Sequence, residues 1–377
     1  MPAETHAAPE GSLKPPVLGT GFLVNIPFTK KYCVITAGHN VARPNEGRAN
    51  RVEVSFPGGF TFTAQASELF VSRVYGAKPT LSDGDPSSLS DYALIAVDRA
   101  KHAPPQSPLG GCSLSILPSR SELLHTGGTV YGYNPSAGIQ SKETSPFLRP
   151  VKADVLEYEK NTQPGVSGGP IFVSYKAGNM RREAAIGIHN YHGRATRITM
   201  TVMLEILSWI DDYGVMRTFE DANRPGVYFQ STTGTSPRLV GRPGPSPNAV
   251  FKLVPVYIAK ESSGDEEDPE SEHGFALLAA HNKPEKAGMH YFVSIEEGKR
   301  EEGYRVCLRE DNVPQRSTTL CMWDREPAKT LALMTDSTAM LSITPTDRMP
   351  CECGCITKDD MVEVVDLDET EFLISKV

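Results

Sequence analysis

No apolar stretch of this chain approaches the ~20 residues that a helix needs to cross a bilayer. Its opening, "MPAETHAAPEGSLKPPVLG", has neither a basic start nor an apolar run, so no secretory signal is read there. Cysteine is sparse: Cys33, Cys112, Cys307, Cys321, Cys351, Cys353 and Cys355 are an odd seven. An odd count with only two in the first 300 residues does not make a disulfide framework. These absences lead to the expectation of a cytoplasmic or otherwise intracellular protein, or of a secreted one whose signal has been removed. Surplus positive charge is missing too. From Val215 onward there are 18 Lys/Arg against 28 Asp/Glu, which leaves 20 against 18 before it. Neither part carries the basic stripe of a nucleic-acid binder, so neither a nucleic-acid nor a membrane partner is expected. No convincing internal repeat is present.

What is present is a soluble composition, 39% hydrophobic and 22% charged, in a chain of 377 residues, long enough for two domains. Residues 14–200 read as short β segments divided by turn signals. Among them are "GTGFLVNIPF", "KYCVITAGH", "RVEVSF", "FTFTAQAS", "DYALIAVD", "GGTVYGY", "VKADVLEYE", "GPIFVSY" and "EAAIGIHNY". Frequent strands without a helical pattern between them predict an all-β barrel or sandwich. In "TVMLEILSWIDDYG", Val202, Met203, Ile206, Leu207 and Ile210 recur at helical spacing, and Gly214 is a natural stop. The first domain is therefore expected over 1–214. A Pro/Gly/Ser-rich stretch over 215–248 reads as a linker. Strand-like segments from "VFKLVPVYIA" to "MVEVVDL" predict a second, acidic all-β domain over 249–377, a sandwich or a trefoil.

Between Asn161 and Phe172 runs "NTQPGVSGGPIF", in which Ser167 is either a nucleophile or a turn residue. A nucleophilic serine needs a base, a group to orient that base, and donors for the developing oxyanion. Upstream, "ITAGHNV" offers His39 and "SDYALIAVD" offers Asp91, both at strand ends where a scaffold can present a side chain. Singly, each has a plainer explanation: a core histidine, a strand-end cap, a turn serine. Together, in the order His39, Asp91, Ser167, they match one of the known chain orders of the hydrolytic triad.

"TAGH", "DYAL" and "GVSGGP" resemble the three signature motifs of chymotrypsin-fold serine proteases, and "GTGFLV" and "VYGY" fit the same pattern. "TAGHNV", "YEKNTQPGVSGGPIF" and "AIGIHNYHG" look most like the glutamyl endopeptidase, or V8-like, branch. The motifs cover roughly residues 19–193 and nothing after 214. The resemblance implies two six-stranded β-barrels, a closing helix, and a site between the barrels needing no cofactor. It implies Ser167 as nucleophile, His39 as general base then acid, and Asp91 as its orienting partner. Backbone N–H groups of Gly165 and Ser167 would form the oxyanion hole. Thr162 and His189 match the pocket that holds a substrate carboxylate, with Asn190, Tyr191 and His192 beside them, so a polypeptide substrate with Glu or Asp before the scissile bond is implied.

The chain departs from the pattern in places. Val166 stands where chymotrypsin-like zymogens carry an Asp, which excludes activation through that ion pair. Asn40 follows His39 in place of a Cys, so Cys33 is most simply a small buried hydrophobe. His192 replaces a glycine at the pocket entrance, which would narrow it. An extension of nearly twenty residues precedes "GTGF", so the mature N-terminal amine that helps bind the carboxylate in secreted relatives is not expected to do so here. In "CECGC", Cys351, Cys353 and Cys355 are either three reduced thiols around Gly354 or part of a metal site completed by Cys307 or Cys321. The plainer reading, no metal, is taken. The acidic "ESSGDEEDPESE" (261–272) reads as a solvated loop, with self-cleavage or autoinhibition as the alternative. The competing view of the whole is an idle protease scaffold acting as a binding or regulatory module. A protein partner for the C-terminal domain belongs with either view.

Overall fold

The computed structural model describes residues 2–8, 17–26, 29–43, 46–79, 89–102, 109, 111–114, 116, 127–134, 139–147, 154–159, 162, 164–177, 180–210, 217–221, 224–233, 237–257, 273–280, 289–297, 304–311, 320–325, 328–333, 336–344, 360–366 and 371–376. The chain forms two units, the first built on Met1–Asp212 and the second on Tyr213–Ile258 with Glu272–Val377. Among the described residues no helix is long and apolar enough to cross a membrane.

Among the described residues, the first unit holds two sheets of seven strands each and the short pair Ala42–Arg43 with Gly47–Arg48. One runs in the order Thr61–Gln65, Arg51–Ser55, Pro2–Ala8, Val17–Val24, Lys31–Thr36, Ala93–Asp98, Leu69–Val71, all antiparallel. The other runs Ile139–Pro146, Gly127–Asn134, Pro170–Ala177, Met180–Tyr191, Arg194–Arg197, Val155–Glu157. The short Ser113–Leu114 lies parallel to Met180–Tyr191. Each sheet therefore holds the six strands expected of a barrel plus a seventh. In the first sheet the added strand is Pro2–Ala8, between Val17–Val24 and Arg51–Ser55. The sequence does not announce it, because Pro, Ala and Glu are poor strand formers.

Alternation explains the strands with one solvated face. In "RVEVS", Val52 and Val54 face the core while Arg51 and Glu53 face solvent. By contrast, "KYCVIT" and its neighbour "ALIAVD" are buried almost throughout, and their apolar residues run on without alternation. Cys33 sits fully buried in the first of these. The second core gathers Val130, Phe147, Leu156, Tyr158, Val166, Ile171, Val173, Ile186 and Ala195. Val166 is thus a core residue one position before Ser167. Burying such a side chain contributes roughly 1.5–3 kcal/mol and helps pin the serine's loop.

The helix follows directly on the second sheet, over Met200–Ser208, with the Thr199 hydroxyl accepting from the Val202 N–H. It buries Met200, Val202, Met203, Ile206 and Leu207. Trp209 at its end lies against Phe70 and Tyr92 of the first sheet's half. Glu205 accepts from the Tyr92 hydroxyl and from the Arg73 N–H at 2.9 Å. The helix therefore fastens the two halves of the unit together.

Among the described residues, the second unit is one connected twelve-stranded sheet, antiparallel throughout. The pairing of Arg217–Asp221 with Val227–Ser231 makes its path return on itself. The stretch 215–248 is not a linker. It carries the strands Arg217–Asp221, Val227–Ser231 and Leu239–Pro243, and its Phe219 and Phe229 pack with Phe251, all three fully buried. Its glycines and prolines punctuate short strands: Gly226 and Gly244 take positive φ in turns, and Ser246 with Pro247 opens a short helical turn. The acidic segment 261–272 and Cys351, Cys353 and Cys355 lie outside the described residues.

Candidate active site

His39 lies in the helical turn Gly38–Asn40, right after the central strand Lys31–Thr36. Asp91 precedes the paired strand Ala93–Asp98. The carboxylate is fully buried and receives two donors from one residue: the His39 N–H at Oδ1, 2.8 Å, and Nδ1 at Oδ2, 2.6 Å. A buried carboxylate without such donors would be costly. An ionised carboxylate only accepts, so Nδ1 carries a proton and Nε2 is left as the acceptor. Tyr75 is buried nearby, its phenol pushed well above its ordinary pKa by burial and then by the charge of Asp91, so it stays neutral.

Ser167 belongs to the loop that leads into Pro170–Ala177. Gly165 and Gly168 both adopt positive φ, 95° and 91°, a region closed to most side chains. At Gly168 a Cβ would come within 2.0 Å of the Thr20 carbonyl oxygen and 2.3 Å of Thr36 Oγ1. The glycine is what lets the loop lie against the first sheet. Gly168 N–H donates to the His189 carbonyl and His189 N–H to that of Gly169, each at 2.7 Å, while Gly169 N–H donates to Val166. Among the described residues, the N–H groups of Gly165 and Ser167 enter no hydrogen bond. The Ser167 hydroxyl donates to the Asn190 carbonyl at 2.7 Å. The hydroxyl proton is thus committed to the Asn190 carbonyl.

The pocket residues divide. His189 is 1% exposed, with Thr162 Oγ1 on its Nε2 at 2.6 Å and the Tyr158 hydroxyl on its Nδ1. Burial, followed by the charge of His39, lowers its pKa from 6.5 to about 3, so the imidazole is neutral at ordinary pH. Asn190 does not present its side chain to the pocket. Nδ2 donates to the Asp91 carbonyl at 3.0 Å and to Thr196 Oγ1, and Oδ1 accepts from the Thr196 N–H, which leaves only its carbonyl facing Ser167. A buried amide needs hydrogen-bond partners, and these lie on the side of Asp91 and Thr196. Tyr191 is half-buried with the exposed His192 edge-on to it. His192 has φ 42°, uncommon for a residue with a side chain.

Sequence reading placed His39, Asp91, Ser167, Thr162 and His189, and the structure brings them to the seam between the two sheets. It missed Tyr158, which lay unremarked in "VLEYE". It also missed the structural use of Thr20 and Asn40. No family model and no curated protein matches the chain. Solved structures similar to it include a protease from M. tuberculosis in its active form, 19% identical, covering 56% of this chain and 81% of that one, TM-score 0.34. A serine endoprotease from Yersinia pestis is 13% identical over 82% of this chain and 94% of its own, TM-score 0.37. An inactivated protease paralogue of the scabies mite is 12% identical over 52% and 89%, TM-score 0.35. All these scores are low, so the fold rests on the chain's own strand plan. Two sheets, antiparallel except for the short parallel Ser113–Leu114, meet at one seam with a closing helix and make a chymotrypsin-like fold to which a second β unit is joined.

Proposed function

We propose that the first unit is a serine endopeptidase working through an acyl-enzyme, with a preference for Glu or Asp before the scissile bond. The observation that carries this is the doubly bonded His39–Asp91 pair beside a serine whose loop leaves two amides unused. In this reading a substrate main chain takes the Asn190 carbonyl, and the released Ser167 hydroxyl turns to His39 Nε2. Oγ attacks the scissile carbonyl carbon while His39 takes the proton, and Asp91 stabilises the resulting imidazolium. The oxyanion is held by the N–H groups of Gly165 and Ser167, each worth about 2.7–4 kcal/mol. His39 then gives its proton to the leaving amine, and water repeats the sequence to free the acid.

In the pocket, Thr162 and the neutral His189 would meet the substrate carboxyl by hydrogen bonds alone. The neutrality of His189 also favours a second reading, glutamine at the same place, because a carboxamide uses such bonds without burying a charge that lacks a cation. A fluorogenic peptide series differing only at that residue, assayed with wild type and Ser167→Ala, tests both. Turnover of the Glu or Asp peptides that vanishes in the variant supports the proposal, and a dominant Gln peptide selects the second reading. Turnover indifferent to that residue removes Thr162 and His189 from specificity. No turnover at high enzyme concentration favours a binding module on a protease scaffold.

A further inference from the structure

Thr20 stands in the second residue of "GTGF", on the strand Val17–Val24, and is fully buried. Its groups are spent on the loop of the other sheet. The backbone N–H donates to the Ser167 carbonyl at 2.8 Å, and the hydroxyl donates to the Gly165 carbonyl at 2.6 Å. The same hydroxyl accepts from the Tyr133 N–H at 2.9 Å, so both its donor and its acceptor capacity are used. Asn40 reinforces the arrangement, donating from Nδ2 to the Ser167 carbonyl at 2.8 Å and to Thr36 Oγ1 at 2.9 Å. Thr36 Oγ1 in turn donates to the Thr20 carbonyl at 2.6 Å.

The residues so gripped are the two whose amides would hold the oxyanion, and the loop bearing them contains two glycines at positive φ, which resist rotation least. A peptide group is planar and trans, so a held carbonyl fixes the direction of the N–H across the same bond. Val166 C=O is held by the Gly169 N–H, which sets the Ser167 N–H. Gly165 C=O is held by the hydroxyl of Thr20, which sets the Val166 N–H and so fixes the peptide group lying between the two donors, against which both must be oriented. We infer that Thr20 is a positioning residue: its hydroxyl keeps the Gly165–Ser167 loop in the conformation whose amides can receive an oxyanion, with Asn40 holding the same loop from beside His39. This rests on the peptidase reading for its catalytic consequence, though not for its structural one.

Thr20→Val keeps the shape of the side chain and removes the hydroxyl, and Thr20→Ser keeps the hydroxyl and removes a methyl group. On the full chain, Thr20→Val is expected to lower kcat about 10²-fold, on the scale of losing one oxyanion donor, with KM within about threefold. Thr20→Ser should recover most of that rate. Hydrogen exchange by mass spectrometry over residues 164–170 should be at least about tenfold faster in Thr20→Val than in wild type, with the peptides around Asp91 unchanged. The exchange arm reads the loop whether or not the chain turns over a substrate, so an inactive wild type would remove the peptidase reading while exchange still decides this one. Unchanged exchange in Thr20→Val, an active wild type with unchanged kcat in Thr20→Val, or a Thr20→Ser as impaired as Thr20→Val would overturn the inference.

Discussion

His39 and His189 lie on the two sides of one seam and are handled in opposite ways. His39 keeps 14% of its side chain exposed and sets one nitrogen against a buried carboxylate, leaving the other to accept a proton. His189 is shut away at 1% exposure, and both its nitrogens are bonded to hydroxyls, those of Thr162 and Tyr158. Burial among hydroxyls keeps the His189 imidazole neutral. The same side chain is thus fitted for moving a proton in one place and for steady hydrogen bonding in the other. Environment, more than residue type, separates the two side chains.

The largest effect that sharpens this contrast comes from removing the charge beside His39. Asp91→Asn should lower kcat roughly 10⁴-fold by favouring the wrong tautomer while leaving the fold intact. A loss under tenfold in steady-state kinetics would mean that His39 does not depend on its carboxylate. A smaller effect is expected at the other histidine. Tyr158→Phe frees Nδ1 from its hydroxyl, so the ratio of kcat/KM between Glu and Gln peptides should shift about tenfold, on the scale of one hydrogen bond. The rate at which Ser167 reacts with a small covalent probe should not change. A parallel fall in every peptide and in the probe rate would place Tyr158 in general stability instead.

The smallest effect concerns acid. His189 has a folded pKa of about 3 against an ordinary 6.5, so the unfolded chain binds the extra proton first. Its contribution to stability is present above about 6.5 and is lost as pH falls from there towards 3. In denaturant titrations across that range, His189→Gln should lose less stability on acidification than wild type. Equal slopes in the two proteins would show that His189 is not held neutral.

Much of the first unit was legible because its information is local. "RVEVS" alternates, "ALIAVD" is continuously apolar, and "TAGH", "DYAL" and "GVSGGP" each fit within six residues. What was not legible depends on distant partners. Asn40 reaches Ser167 across 127 positions and Thr20 reaches Gly165 across 145, and no spacing within a segment encodes either bond. Tyr158 touches His189 only because Val155–Glu157 and Arg194–Arg197 pair, and those strands are too short to give a clear pattern. In 215–248 the turn residues outnumbered the aromatic ones, and composition outweighed the few buried rings that make it part of a sheet.

Activation of Ser167 as a nucleophile is what divides a working peptidase from an idle scaffold. Intact-mass and peptide-mapping analysis after incubation with a fluorophosphonate tests it most directly, with His39→Ala alongside. The account predicts one adduct per chain, on Ser167, in wild type and almost none in the variant. An unmodified wild type, or equal labelling of both proteins, would contradict it.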